Sequence, residues 1–409
     1  MKRNYSFIHS ALHAAVAVAL SSGMPGLLSA QTRIPVLNTY TLTDLSAGPT
    51  AFLGWGGNPA SPFPIGPPPI WYSDAYAINN AGQVVGVFLN GGSLAYGGGA
   101  YHAFRTEPNS PINYLGLDDL GVLGNDSSSQ ALAVNSSGVV AGNSGDAKNG
   151  LRHAFLSSLG AGPSDLNAGN VLNAQDTYAM GVNDSGLIVG FYIDQAGHRH
   201  SFLSFGPGQT QTFDWWYGPS VFSQTYDINN RGQVVGQIAS TWTDVPVAFL
   251  SNAGGGVIKI GHLPGDLTSV AYALNDAGQV VGQSGTSYPK AFFFQDLNNN
   301  GVVDAGELKS LDPNNNEESG AFSISSNGNA VGYFGSLCGE LGCDARRAAL
   351  FSNGTKSDLN NLVQGGTSGW TLRVARGIND HGQIVGFMQD SNGTTHAFRL
   401  DPVSILPKQ

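Results

Sequence analysis

The chain has 409 residues, of which 57 are Gly and only 11% are charged, with a formal net charge of −10. Abundant Gly with few Glu and Lys excludes a helical bundle and suits short strands joined by tight turns. The acidic balance disfavours nucleic acid as a partner, because affinity there comes from basic side chains that neutralise phosphates.

Residues 1–30 read as an export signal: Lys2 and Arg3 form a basic start, Ala11 to Leu20 is almost wholly apolar, and Leu28, Ser29 and Ala30 resemble a signal-peptidase site. Cleavage there starts the mature chain at Gln31 and moves the formal charge from −10 to −12, since Lys2 and Arg3 leave and no acid does. No later run approaches the roughly 20 apolar residues that a membrane helix needs, and the C-terminal LDPVSILPKQ lacks the apolar tail of a sorting anchor. The expectation is a secreted or periplasmic protein. Residues 36–45, VLNTYTLTDL, then predict a strand with no neighbour in sequence to pair with. A long Gly- and Pro-rich segment follows at 46–73, carrying Phe52, Trp55, Phe63, Trp71 and Tyr72. An excursion of that length is unusual without a role or disorder.

From residue 74 onward one pattern recurs. AYAINNAGQVVG, ALAVNSSGVVAG, AMGVNDSGLIVG, TYDINNRGQVVG, AYALNDAGQVVG, AFSISSNGNAVG and ARGINDHGQIVG are anchored at Asn79, Asn135, Asn183, Asn229, Asn275, Ser325 and Asn379, at spacings of 46 to 56 residues. Each copy predicts a hairpin: a strand, an Asn-x-x-Gly turn, and a β-branched second strand. Asn starts such turns by bonding the backbone two residues on, and the Gly falls where a left-handed backbone closes them. A third strand follows (YHAFRT, RHAFLS, RHSFLS, PVAFLS, PKAFFF, AALFSN, THAFRL), and a fourth precedes the next copy, as in LDDLGVL, TFDWWY, VIKIGHL, ELKSLD and SDLNNLV. Four short strands repeated seven times predict an all-β, seven-bladed propeller in one domain, residues 31–409. The last copy stops after its third strand, so residues 36–45 are expected to supply its fourth and close the ring. An open solenoid is the structural alternative and does not explain this exchange.

The IN-x-x-GQVVG and HAF motifs resemble the HAF-repeat family of extracellular repeat proteins, over nearly all of residues 36–400. The resemblance implies an exported repeat protein and brings no catalytic residues.

Within blade five, DLNNNGVVDAGE at 296–307 matches D-x-[DN]-x-[DN]-G-x5-E and resembles an EF-hand or dockerin-type calcium loop. Asp296, Asn298 and Asn300 would give side-chain oxygens, Val302 its carbonyl, Asp304 a direct or water-bridged oxygen, and Glu307 two oxygens, with Gly301 at the sharp turn. A structural calcium is expected on the third-to-fourth strand connection. Cys338 and Cys343, the only cysteines, predict a small disulfide loop in an exported chain. His102, His153, His200 and His396 begin third strands, with Val247, Lys290 and Ala348 in their place elsewhere. Third strands lie away from the channel, so these imidazoles are expected to pack and hydrogen-bond within blades.

Asp74, Asp126, Asp176 and Asp266 precede innermost strands and could face one axial mouth; turn capping is their plainer use. Trp242, Trp215, Trp216 and Tyr217 belong to the same face as the 46–73 aromatics, where rings could stack on a sugar or a protein, or pack between blades. No G-x-S-x-G elbow, H-E-x-x-H helix or phosphate loop occurs, and the chain has five Glu. Two functions follow. The first is a non-catalytic binding propeller for a polysaccharide or cell-surface protein, with Trp55, Trp71, Tyr72, Trp242 and the four Asp at its ligand face. The second is a glycan-cleaving enzyme using the axial Asp pair chemistry.

Overall fold

The computed structural model describes residues 39–46, 72–90, 100–113, 118–145, 150–212, 222–241, 243–251, 256–313, 317–338 and 343–403. Seven four-stranded antiparallel sheets stand around one axis as a β-propeller. Blade 1 is typical: Ser73–Ile78, Val84–Asn90, Ala100–Arg105 and Asp119–Gly121 pair in sequence order. The first strands of blades 2 to 7 are Ser128–Val134, Ala174–Val182, Phe222–Ile228, Ser269–Leu274, Ser319–Ile324 and Thr371–Ile378. Each first strand touches those of both neighbouring blades, and the seventh touches the first, so these strands surround the axis in a closed ring.

The N-terminal strand Tyr40–Asp44 pairs antiparallel with Thr395–Pro402, with Leu42 opposite Leu400 and Asp44 opposite Phe398. It is the fourth strand of blade 7, so the chain ends are joined by hydrogen bonds as the missing final strand requires. Residues 1–38, including the leader and the start of the expected strand, lie outside the described residues.

Each second strand carries a Gly where the sheet crosses the Phe of the third strand, as Gly86 does opposite Phe104. A Cβ on Gly86 would lie 2.0 Å from the Asp74 carbonyl oxygen and 2.9 Å from the Phe104 ring. Glycine is therefore required by backbone approach. Phe104, Phe155, Phe202, Phe249, Phe292 and Phe398 are fully or almost fully buried between blades. Blade 6 departs from this: Ala349 is the residue opposite Gly332, and Arg347 occupies the histidine position. The alignment that put Ala348 there is shifted by one residue, because both strands are equally apolar and only pairing fixes the register.

Two belts tie blade to blade. In the first, the anchor Asn reaches from its own turn to the next: Asn79 Nδ2 donates to the Asn135 carbonyl at 2.9 Å, Asn135 to Asn183 at 3.0 Å, and Asn183 to Asn229 at 3.2 Å. Asn229 continues to Asn275 at 3.1 Å, Asn275 to Ser325 at 3.0 Å, and Asn379 closes onto Asn79 at 3.0 Å. In the second, a hydroxyl six residues ahead of the anchor accepts from a third-strand N–H of the preceding blade. Ser129, Thr177, Ser223, Ser269, Ser319 and Ser73 take Ala103, Ala154, Ser201, Ala248, Ala291 and Ala397 in this way, at 2.7 to 3.0 Å. Blade 7 has Arg373 at that position and blade 6 has Ser325 for the anchor Asn. Blades 6 and 7 are joined by Ser326 N to Asp380 Oδ1 at 2.8 Å, a bond that Ser136 N also makes to Asp184 Oδ1 at 2.9 Å, and by Ile378 N to Ser323 Oγ at 3.3 Å.

Candidate binding site on the channel axis

Every first strand is broken by a bulge at one place, three residues before its anchor. The extra residue has no partner on the second strand, and its side chain leaves the plane of the sheet. These residues are Tyr76, Leu132, Met180, Tyr226, Tyr272, Phe322 and Arg376, all partly exposed on the innermost strands. The repeat thus aims one large side chain per blade at the axis.

The aromatic members meet. Tyr226 packs edge-on against Tyr272 with ring centres 5.6 Å apart, and Tyr272 against Phe322 at 5.2 Å. On one side the arc runs on through Phe191, 6.3 Å from Tyr226, to Tyr178, stacked at 4.6 Å. On the other, Phe322 stacks on Tyr333 at 5.7 Å. Arg346 then lies over both Tyr333 and Phe387, and Arg376 over both Phe387 and Tyr76 at 5.5 and 4.8 Å. The result is one arc of rings and guanidinium groups from blade 3 to blade 1, interrupted at Leu132 of blade 2. Offset and edge-on ring pairs each add about 0.5–1.5 kcal/mol beyond their buried area. Burial raises the Tyr76 and Tyr272 hydroxyls well above the usual phenol range, so both remain neutral donors.

Both arginines are held in place. Arg346 makes a two-point contact to Asp344 at 2.9 and 2.8 Å. Arg376 does the same to Asp74, Nε to both oxygens at 3.0 Å and Nη2 to Oδ2 at 2.8 Å. Burial raises the pKa of the Asp74 carboxyl against the pull of Arg376. Arg376, which its own burial would lower, is raised on balance by the carboxylate beside it. A guanidinium cannot give up its proton here, so Arg376 stays charged.

The four acidic residues expected at the mouth do not share one site. Asp74 is committed to Arg376, and Asp126 lies 3.4 Å from His153. Asp176 accepts from Arg152 N at 2.7 Å, and Asp266 from the Ser284 hydroxyl at 2.7 Å. Another buried carboxyl is perturbed. Asp227, two residues before its anchor, accepts from Ile228 N at 2.8 Å and from Leu274 N of blade 5 at 3.1 Å, and burial pushes its pKa up to about 7.

The third-strand histidines pack within their blades. His102 lies 2.9 Å from Asp119 and His396 2.9 Å from Asp44, each carboxylate being on the adjacent fourth strand. Arg347 at the same position of blade 6 faces Asp358 at 3.6 Å. Tyr72 bridges to Thr395 and packs edge-on against Tyr101 at 5.3 Å, and burial, with the charge of Asp74 beside it, pushes its hydroxyl up to about 12. Phe52, Trp55, Phe63, Trp71, Trp215, Trp216, Tyr217 and Trp242 lie outside the described residues. Cys338 and Cys343 are backbone partners in a two-residue ladder on the second-to-third connection of blade 6, and their side chains are likewise outside the described residues.

The axial arc is what sequence reasoning overlooked. Its signal was present, since Tyr76, Tyr226, Tyr272 and Phe322 all stand three residues before an anchor. Strict alternation gives that position to a blade face, and only the bulge turns it to the axis.

Residues 115–250, roughly a third of the chain, match a family described as a protein of unknown function (DUF3466). No curated protein is significantly similar in sequence. Among solved structures, the tricorn protease is similar at 8% identity with a TM-score of 0.41, over 80% of this chain and 35% of that one. The chain thus spans about a third of the tricorn protease chain. A fucose-specific lectin from Aleuria aurantia is similar at 13% identity and a TM-score of 0.36, over 81% of this chain and 92% of the lectin. AofleA from Arthrobotrys oligospora is similar at 9% identity and a TM-score of 0.37, over 82% and 88%. Among the described residues no helix is long and apolar enough to cross a membrane.

Proposed function

We infer that the protein is an exported, non-catalytic binding propeller whose ligand meets the aromatic arc at the axis, and that the ligand is a glycan. The observation that carries this reading is the run Tyr226, Tyr272, Phe322 in three consecutive blades, each ring partly exposed and each braced by the next. Braced rings lose little entropy on binding and offer faces to the C–H side of a sugar. Arg376 and the Tyr hydroxyls supply donors for its hydroxyl groups. The enzyme alternative needs two free carboxyls across one bond, and of the four Asp expected to provide them Asp74, Asp176 and Asp266 are engaged elsewhere.

On a panel of soluble polysaccharides, the purified protein should be retained on at least one without generating new reducing or unsaturated ends. Tyr272→Ala should weaken that retention by about tenfold, a change of about 1.4 kcal/mol, while Leu132→Ala in the interrupted blade should leave it within about twofold. Equal retention of wild type and Tyr272→Ala would remove the arc as the site, and new ends would restore the enzyme reading.

We infer also that residues 296–307 hold a structural calcium. The loop joins Lys290–Phe294 to Leu308–Ser310, on the face of the first-to-second turns and opposite the second-to-third connections. Its donors already converge: Asp296 accepts from Asn300 N and Gly301 N at 3.2 and 2.9 Å, and Asn298 and Asn300 both direct Nδ2 to Asp304 Oδ2 at 2.8 Å. To present their oxygens to a cation both amides must turn over, giving up the bonds in which Asn298 Oδ1 and Asn300 Oδ1 accept from Asn300 N and Val302 N at 3.0 and 2.8 Å. Glu307, 3% exposed, is oriented by N–H bonds from Leu297 and Asp304 at 2.8 Å. Gly301, at φ +74°, makes the turn. The all-oxygen donor set suits a hard cation.

Calcium at a hundredfold excess over its Kd should stabilise the fold by about 2.7 kcal/mol. Chelation should therefore lower the melting temperature, and Glu307→Gln should abolish most of the calcium-dependent increment. Calorimetry showing no calcium uptake by the wild type would refute the site. Loss of polysaccharide retention on chelation without unfolding would refute a purely structural role.

A further inference from the structure

The second-to-third hairpin of blade 3 reads Asp-Gln-Ala-Gly-His-Arg-His over residues 194–200. Asp194 Oδ1 shapes the turn by accepting from Ala196 N and His198 N, both at 2.8 Å. Its other oxygen faces two imidazole nitrogens at once: His198 Nδ1 at 3.3 Å and His200 Nε2 at 3.2 Å. The three atoms lie within 4.8 Å of one another. Strand alternation puts His198 and His200 on one side, and Arg199 between them points away, over the Phe222 ring at 5.8 Å. Tyr192 stacks on His200 at 5.0 Å and fixes the plane of its ring.

Blade 7 supplies an internal comparison. Its hairpin, residues 390–396, is turned in the same way by Asp390, which accepts from Asn392 N and Thr394 N at 2.8 Å. There Thr394 stands in the place of His198, and His396 faces Asp44 of the fourth strand at 2.9 Å. In blade 3 the residue opposite the HAF-position Phe is Thr212, where blade 7 has Asp44. Blade 3 therefore departs from the repeat twice. One departure adds an imidazole, and the other removes the carboxylate that would draw the second imidazole to the fourth strand.

We propose that Asp194, His198 and His200 form a binding site for a divalent transition metal ion of the zinc type. Metal bonds of about 2.0–2.1 Å in a tetrahedral shell put neighbouring donors about 3.3 Å apart, which is the spacing found on both edges that meet at Asp194 Oδ2. Two imidazoles with one carboxylate select zinc, copper or nickel over calcium and magnesium, which prefer oxygen shells. Three protein donors leave a fourth position for water or for a donor from a second molecule. The site is at the rim of blade 3, remote in sequence from the calcium loop and made from a different donor class.

Zinc titrated into the chelator-treated full protein, followed by calorimetry, should show one site per chain that persists in Glu307→Gln. His198→Thr, which installs the residue that blade 7 uses in the same turn, should weaken zinc by roughly a hundredfold without changing the metal-free melting temperature. Asp194→Asn keeps an acceptor for the turn and should weaken zinc as well. Copper(II) in place of zinc should show coupling to two nitrogens in the wild type and to one in His198→Thr. Zinc uptake equal in wild type and His198→Thr, or no uptake by the wild type, would overturn the proposal; the two histidines then serve only as hydrogen-bond donors to Asp194.

Discussion

A chain that lacks residues 31–46 is expected to melt far below the full protein, or not to fold at all. The deletion removes Tyr40–Asp44, the outer strand of blade 7, and with it the pairing of residues 398–402 on that side. Tyr40 is buried among Leu359, Leu372 and Leu400, and Leu45 is fully buried between blades 7 and 1 against Ala75, Ile112 and Ala397. Leu45 is also a backbone link between the two blades, donating to Ala397 O and accepting from Ile112 N at 3.0 Å each. Two large buried side chains are worth about 1.5–3 kcal/mol each. With the strand's hydrogen bonds and an opened edge, the loss should be on the order of 5 kcal/mol or more, comparable to the whole stability of many domains. Scanning calorimetry of the truncated and full chains reads this directly, and an unchanged melting temperature would mean that closure contributes nothing. Leu45→Ala is the milder version and should cost about 2–5 kcal/mol.

Asn229→Ala should have the next largest effect, about 3 kcal/mol. The side chain is 5% exposed. Its Nδ2 donates to the Asn275 carbonyl of the next blade at 3.1 Å and to Gln233 Oε1 at 2.9 Å. Its Oδ1 accepts from Arg231 N at 3.0 Å and Gln233 N at 2.9 Å, holding its own turn. Truncation leaves donors and acceptors buried without partners, at about 1–3 kcal/mol for each group. Ser325 is a natural control, because its hydroxyl bonds only inside its own turn, to Asn327 Oδ1 at 2.7 Å and Asn329 O at 3.1 Å. Ser325→Ala should cost no more than about 1.5 kcal/mol. Denaturant unfolding of the two variants separates the roles of the side chain. Equal losses would mean that the Asn acts through its turn alone, and that the bond to the next blade adds nothing.

What the sequence determined by itself was local and repeated. The Asn-x-x-Gly turns, the strand lengths and the unpaired first strand are written in contacts a few residues apart, such as Gln233 N to Asn229 Oδ1. Seven copies of such a unit leave few ways to bury both faces of every sheet, so blade number and closure were legible too. The placement of residues 296–307 between the third and fourth strands of blade 5 was legible as well. Tertiary structure decided everything that crosses between blades. Asn229 meets Asn275 and Asp74 meets Arg376 across separations of 46 and 302 residues. Such contacts depend on the curvature of the ring, which no local pattern encodes. The same holds for Tyr76, Tyr226, Tyr272, Phe322 and Arg376. Alternation alone gives them to a blade face, and the bulge, which exists only where two strands pair out of step, turns them to the axis. The candidate site was therefore present in the sequence as residue types at a fixed position, but its direction came from strand pairing.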